Sequence, residues 1–234
     1  MTPLPRPSTA RGEATRRRLL DAAEAEFGEQ GFARTPISAI TQRAGVAQGT
    51  FYLYFPSKGD ALRELVRDMG RQLRQALSEA TVGAGRRLDV ERQGLEAFIR
   101  FALAHQNLYK VVMESQFVDE SIYREYYQTL ADAYAANLAR AQDDEQVRKG
   151  DPSAQAWALM GIAHFLGLRY AIWQHEAPPA EVLETTFDLI AHGIGPTGAA
   201  EIAIGTRAAA ADRTGNTTPT AEPRTPPRTQ RRRS

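Results

Sequence analysis

The sequence predicts an all-α protein, a small three-helix unit at the N-terminus followed by a larger helical domain, and three observations carry that prediction. Apolar residues recur three and four positions apart through most of the chain, whereas alternation sustained over several residues, as a strand requires, is missing. Capping and breaking residues then cut the pattern into helix-sized pieces, among them Ser57, Asp119, Gly150-Asp151-Pro152 and Pro178-Pro179. Finally, the stretch Thr35 to Leu62 holds two short helical patterns separated by a turn of about three residues.

In chain order, a first helix is expected from Arg17 to Gly31. A second begins near Pro36, with Thr35 as its cap, because a threonine hydroxyl satisfies an orphan amide and proline has none to lose. Ile37, Ile40 and Ala44 form its apolar face, and Gly45 supplies the left-handed residue that ends it. Val46 resumes the pattern, and Phe51 and Phe55, four apart, turn inward from a third helix over about Ala47 to Tyr54. Ser57 caps a fourth helix to about Ala80, whose stripe is Leu62, Leu65, Val66, Met69, Leu73 and Leu77. Further helices are expected near 88–104, 107–115, 119–141, 152–175 and 179–193.

With Phe51 and Phe55 facing in, Gln48, Thr50, Tyr52 and Tyr54 are left outward. Glutamine can pair with the N6 and N7 edge of adenine, and Thr and Tyr hydroxyls, with Lys58 beyond them, are donors for phosphate oxygens. Gly49 lets backbone approach backbone. Arg16, Arg17 and Arg18, read as the first turn of a helix, oppose its dipole and fit better with phosphates nearby. Arg16, Thr35, Arg43, Gln48, Gly49, Thr50, Tyr52, Tyr54 and Lys58 are therefore the candidate contacts to double-stranded DNA.

The set Thr35-Pro36-Ile37, Ile40, Ala44-Gly45-Val46, Gly49-Thr50-Phe51-Tyr52, Tyr54-Phe55, Lys58 and Leu62 resembles the DNA-binding segment of the TetR/AcrR family of bacterial repressors. The resemblance implies that Thr50, Tyr52, Tyr54 and Lys58 hold the DNA backbone while the start of the third helix reads bases. Ala47 and Gln48 stand where many members have Ser and Lys, and Leu53 where His or an aromatic is common, so the operator is this chain's own.

Composition agrees with that expectation. The chain has 234 residues, 42% of them hydrophobic, enough for a substantial core. Its formal net charge of +1 is unevenly spread: +2 over residues 1–60, −5 over 61–200 and +4 over 201–234. A polyanion favours the ends over the middle. Cysteine is absent, which excludes disulfides and thiolate-held metals and suits a reducing cytoplasm. The four histidines show no metal-ligand spacing and no glycine-rich phosphate loop occurs, so neither metal nor cofactor is expected. No signal peptide is read at residues 1–18. Ala154 to Trp173, the one candidate span, is interrupted by Gln155, His164 and Arg169, so no membrane partner is expected. The predicted divisions are 1–12, a flexible basic arm carrying Arg6 and Arg11; 13–56, the helix-turn-helix domain; 57–194, the ligand-binding and dimerisation domain; and 195–234, a disordered basic tail.

In the larger domain, Phe98, Phe101, Tyr109, Met113, Phe117, Tyr127 and Trp173 are the candidate lining of a pocket for a small lipophilic effector. They fit a solid core equally well. The resemblance implies a cavity here, and the segments around Phe117 and Trp157 have the character of domains that sense molecules such as acyl-CoA. Arg100, Lys110 and Arg169 are candidates to meet an acidic group. Trp157, Met160, Phe165, Leu183, Phe187 and Ile190, interspersed with small residues, are read as the homodimer interface, two helices per copy forming a four-helix bundle. The reading is thus a ligand-responsive, non-enzymatic regulator on a palindrome. The rival is an all-helical enzyme or lipid carrier, for which only His105, Glu114 and Asp119-Glu120 offer loose candidates.

Overall fold

Nine α-helices account for the described part of the protein, residues 9–192 of a computed structural model, and no strand occurs among the described residues. They are α1 (Ala10–Gln30), α2 (Ile37–Arg43), α3 (Gln48–Tyr52), α4 (Lys58–Ala80), α5 (Arg87–Ala104), α6 (Gln106–Val118), α7 (Glu120–Asp143), α8 (Pro152–Gly167) and α9 (Ala180–His192), with a π-helical segment (Leu168–Gln174) continuing α8. The predicted arm before residue 9, with Arg6, and the predicted tail from 195 lie outside the described residues.

Local chemistry explains the boundaries. Thr9 caps α1 by accepting from the Gly12 N–H, so α1 starts seven residues earlier than the apolar pattern indicates. Arg16–Arg18 therefore lie well inside it, beyond the first turn where the helix dipole acts on charge. Ser57 caps α4 and Asp119 caps α7 as expected, the latter accepting from the Ser121 and Ile122 amides. Thr35 does not cap α2. It is 1% exposed, and its hydroxyl donates to the carbonyls of Glu26 and Gly31, pinning the chain to the end of α1. α3 is only five residues long, because Leu53 and Tyr54 already sit in the turn toward α4.

Residues 9–191 form a single compact unit, so the N-terminal helices are packed onto the rest and not tethered to it. α1 lies against α6, and α4 against α5, α6 and α7. One continuous core runs from Leu19, Phe27, Ile40, Phe51 and Phe55 through Leu62, Val66 and Met69 to Leu108, Val111 and Ile122. Two glycines fix the closest approaches. A Cβ at Gly28 would lie 2.4 Å from Asn107 Cβ, at the α1–α6 contact, and one at Gly167 would lie 2.9 Å from Phe98 Cε1. No other residue permits either helix pair to approach so closely.

Candidate nucleic-acid interface and effector cavity

The reader is built on α1. Phe51 and Phe55 are fully buried with ring centroids 5.5 Å apart, and with Ile40 they press α2 and α3 onto Leu19, Ala23 and Phe27. Gly45, at φ +66°, makes the turn, and its left-handed backbone leaves Val46 N–H donating to the Thr41 carbonyl at 3.0 Å. This fixes which side chains face out. Gln48, Gly49, Tyr52 and Leu53 are exposed, Tyr52 at 52%, whereas Thr50 and Tyr54 are half-buried and Tyr54 packs on the core.

The basic residues expected on this face are committed elsewhere. Arg16 turns inward to Glu64 of α4 at 3.2 Å and lies over the Phe55 ring, so it joins α1 to α4. Arg43 is clamped by Glu26 and Glu29, both at 2.7 Å, and those hydrogen bonds raise its pKa. Lys58 donates to the carbonyls of Phe32 and Thr35, at 2.6 and 2.8 Å, with its ammonium over the Phe32 ring. Its pKa is lowered by burial, partly offset by Glu114. Thr35, Arg16, Arg43 and Lys58 thus have structural partners, while Gln48, Gly49, Thr50, Tyr52 and Tyr54 remain at or near the surface.

Glu114 was singled out by sequence only as a loose catalytic candidate. Its carboxylate accepts the Phe32 N–H at 2.9 and 2.8 Å through its two oxygens, reaching from α6 to the first residues past α1. Gly31, at φ +83°, passes close beneath it. The loop Gly31–Thr35 is therefore held from two sides, by Glu114 on its amide and Lys58 on its carbonyls. Its spacing in sequence gave no sign of this, since its partner lies 82 residues away.

One turn of α6 earlier lies a cavity of about 370 Å³ lined by residues of α4, α5, α6, α7 and α8 and by Ile190 of α9. Its walls are mainly apolar, including Met69, Leu73, Leu95, Val112 and Leu159. Of the predicted lining residues, Phe98, Tyr109, Met113 and Tyr127 are present. Phe101, Phe117 and Trp173 are not. Phe101 is buried against His105, Phe117 is 86% exposed at the end of α6, and Trp173 is 67% exposed on the π-helical segment. Met160 and Ile190, expected at a dimer interface, also line the cavity.

Most polar groups on the wall satisfy one another. The Tyr109 hydroxyl lies 2.9 Å from His164 Nδ1 and 3.0 Å from its carbonyl, and Tyr127 reaches the same nitrogen at 3.4 Å. Burial pushes the His164 pKa down, favouring the neutral ring, and pushes both tyrosines up. Arg87 meets Glu91 at 2.5 Å, and Tyr134 donates to the same carboxylate. Arg100, Lys110 and Arg169 do not line the cavity: Arg100 pairs with Glu96, and Arg169 lies over Tyr170. Among the described residues no cluster of metal-ligating side chains occurs, and no helix is long and apolar enough to cross a membrane.

The predicted interface residues lie on the last two helices. Trp157 and Phe165 are 44% and 69% exposed, Leu183 and Phe187 are half-buried, and Arg92 lies over the Phe187 ring. No residue of α9 is buried.

Residues 19–65 match the model of bacterial regulatory proteins of the tetR family. The chain is 41% identical over 66 residues (28% of this chain, 34% of the relative) to the uncharacterized HTH-type transcriptional regulator YdgC of Bacillus subtilis (strain 168). It is 38% identical over 61 residues (26% and 31%) to the fatty acid metabolism regulator protein of the same organism. These alignments span about a third of each relative. In fold the likeness is longer. The structure of FadR from Bacillus subtilis in complex with stearoyl-CoA superposes with a TM-score of 0.68 at 19% identity, covering 76% of this chain and 99% of that one. FadR from Bacillus halodurans gives 0.68 at 19%, covering 77% and 96%. The segment that matches the tetR family of bacterial regulatory proteins thus carries the helix-turn-helix of α2 and α3, and the all-helical architecture around it is similar to that of solved regulators of the same kind.

Proposed function

We propose that the protein is a homodimeric repressor that binds a palindromic site on double-stranded DNA in the cytoplasm and is released when a small lipophilic effector fills the cavity. One observation carries the reading: Tyr109, Val112 and Met113 of α6 line the cavity, and the next residue, Glu114, holds the amide at the base of the reader. A displacement of α6 by an occupant is thereby transmitted to the loop that precedes α2. α4 adds a second tie, since it contributes Met69 and Leu73 to the cavity and Lys58 to the same loop. The effector acts only through its differential affinity for the two arrangements, and such linkage is typically about 1–3 kcal/mol.

On DNA, Gln48 reads a base edge while Thr50, Tyr52 and Tyr54 hold phosphates, and the exposed apolar side chains of α8 and α9 pair two copies. Two readers about 34 Å apart, or a multiple, then meet successive major grooves. The neighbour solved with stearoyl-CoA supports an apolar effector of acyl character.

The reading is tested by gel shift with the promoter-bearing DNA upstream of the chain's own gene. Salt-dependent, sequence-preferring binding is expected, weakened several-fold by Tyr52→Phe without loss of thermal stability and altered in base preference by Gln48→Ala. Wild-type protein that preferred no DNA sequence at any salt concentration would sink the proposal.

A further inference from the structure

The effector cavity contains one cation that the protein leaves without an anion. Arg74 lies on the cavity wall, half-buried on α4, and among the described residues it has neither a hydrogen-bond nor an ion-pair partner. Arginine side chains elsewhere on α4 are all matched: Arg63 with Asp60 and Asp119, Arg67 with Glu125, Arg71 with Glu64 and Asp68. The other cavity arginine, Arg87, is neutralised by Glu91, whose carboxylate also accepts from Tyr134. Across the wall, then, two guanidiniums face one carboxylate.

The backbone is shaped to seat Arg74. Its guanidinium folds back along α4 over Gly70, where a Cβ would lie 3.2 Å from Nη1 and 3.4 Å from Tyr126 Cδ2. Tyr126 is buried and senses the positive charge, which opposes the upward shift that burial gives its pKa. One turn further on, Ser78 also lines the cavity. A guanidinium and a hydroxyl at i and i+4 thus stand on one strip of α4, facing walls that are otherwise apolar or internally satisfied.

We propose that the effector is an apolar carboxylic acid, and that Arg74 is the residue that selects it by pairing with the free carboxylate. A partly buried guanidinium without a counterion is satisfied by a monoanion, and a planar carboxylate matches its fork of donors. The single uncompensated charge also discriminates among acyl compounds. It balances one carboxylate, whereas the phosphate-rich head of a coenzyme A thioester carries several negative charges for which the wall offers no further free cation among the described residues. The proposal rests on the reading of this cavity as the effector site.

The test uses the full chain and three probes of equal chain length, dodecanoate, methyl dodecanoate and dodecanoyl-CoA, with Kd measured by calorimetry and operator release by anisotropy. The acid is expected to bind about 10- to 100-fold more tightly than the ester, the range of a charge-assisted hydrogen bond. Arg74→Met removes that preference while retaining ester binding, and Arg74→Lys retains part of it. Equal binding of acid and ester by the wild type overturns the proposal without needing any variant, as does a preference that survives in Arg74→Met, or a thioester bound more tightly than the acid. Ester that binds and releases DNA as well as the acid removes the head-group assignment but leaves the effector reading standing. Failure of all three probes to bind contradicts both.

Discussion

Single residues divide into those whose partners lie nearby in sequence and those whose partners do not. Phe51, Phe55 and Gly45 were legible because a four-residue spacing and a left-handed turn are local properties. The partners of Lys58 and Arg16 were not legible, because a cation's spacing does not reveal whether it meets two carbonyls or a glutamate 48 positions away. Phe117 and Trp173 have the composition of pocket residues, yet each projects from the end of its element where the cavity does not reach. Asp119 shows a local role extended by a distant one. It caps α7, and its other oxygen meets Arg63 of α4 at 2.5 Å. Hydrogen bonds from Ser121 and then Arg63 hold its pKa at about 2, below the usual 3.8. A depressed carboxylate pKa stabilises the fold above the unfolded value, so this contribution is complete above about pH 4 and lost as pH falls toward 2. Asp119→Ala is expected to cost about 1 kcal/mol at pH 7, a drop of roughly 2–4 °C in Tm, with the difference from wild type vanishing near pH 2 in urea titrations.

At the scale of elements, helix existence was readable from periodicity and caps, and the errors lie at the ends. α1 begins at Ala10 because of the Thr9 cap, α3 is shorter than its apolar pattern, and α8 passes into a π-helical segment where Gly167 admits Phe98. Periodicity reports which face is apolar and carries no information on hydrogen-bond register, so that last change was invisible. The pairing of α1 with α6 was also hidden, since it depends on Gly28 accepting Asn107 and on Glu114 reaching Phe32. In the proposed mechanism this pairing is where effector and DNA-binding helices communicate. Glu114→Ala leaves the Phe32 amide unheld and is expected to reduce the effector's influence on operator affinity to within about threefold of none, from a coupling of roughly 5- to 150-fold. Anisotropy titrations with and without effector measure that ratio, and an unchanged ratio removes Glu114 from the path.

For the whole molecule, the all-helical architecture of the described residues and the helix-turn-helix were more legible in sequence than the cavity. Half of the aromatic set turned out to be cavity wall and half core or surface, because helical spacing alone does not say whether a buried ring meets another side chain or a void. The last two helices carry their message through exposure: Trp157 and Phe165 are apolar and open, and α9 buries nothing. Such faces are expected to close against a second copy. The double variant Trp157→Arg with Phe165→Glu is therefore predicted to be monomeric in sedimentation experiments and to lose at least tenfold in operator affinity, with its helical content unchanged. A dimer that persisted would place the interface elsewhere.

In the proposed mechanism the state of the cavity sets the grip on DNA. Gly94 offers a direct handle, since it lines the cavity and a Cβ built there meets nothing within 4 Å. Operator affinity should be measured for wild type and Gly94→Phe, each with and without a saturating apolar acid. Wild type is predicted to lose affinity at least fivefold on adding the acid, whereas Gly94→Phe, its cavity filled by the ring, binds no acid and shows one affinity under both conditions. An acid that releases the filled variant from DNA as readily as wild type would contradict the claim.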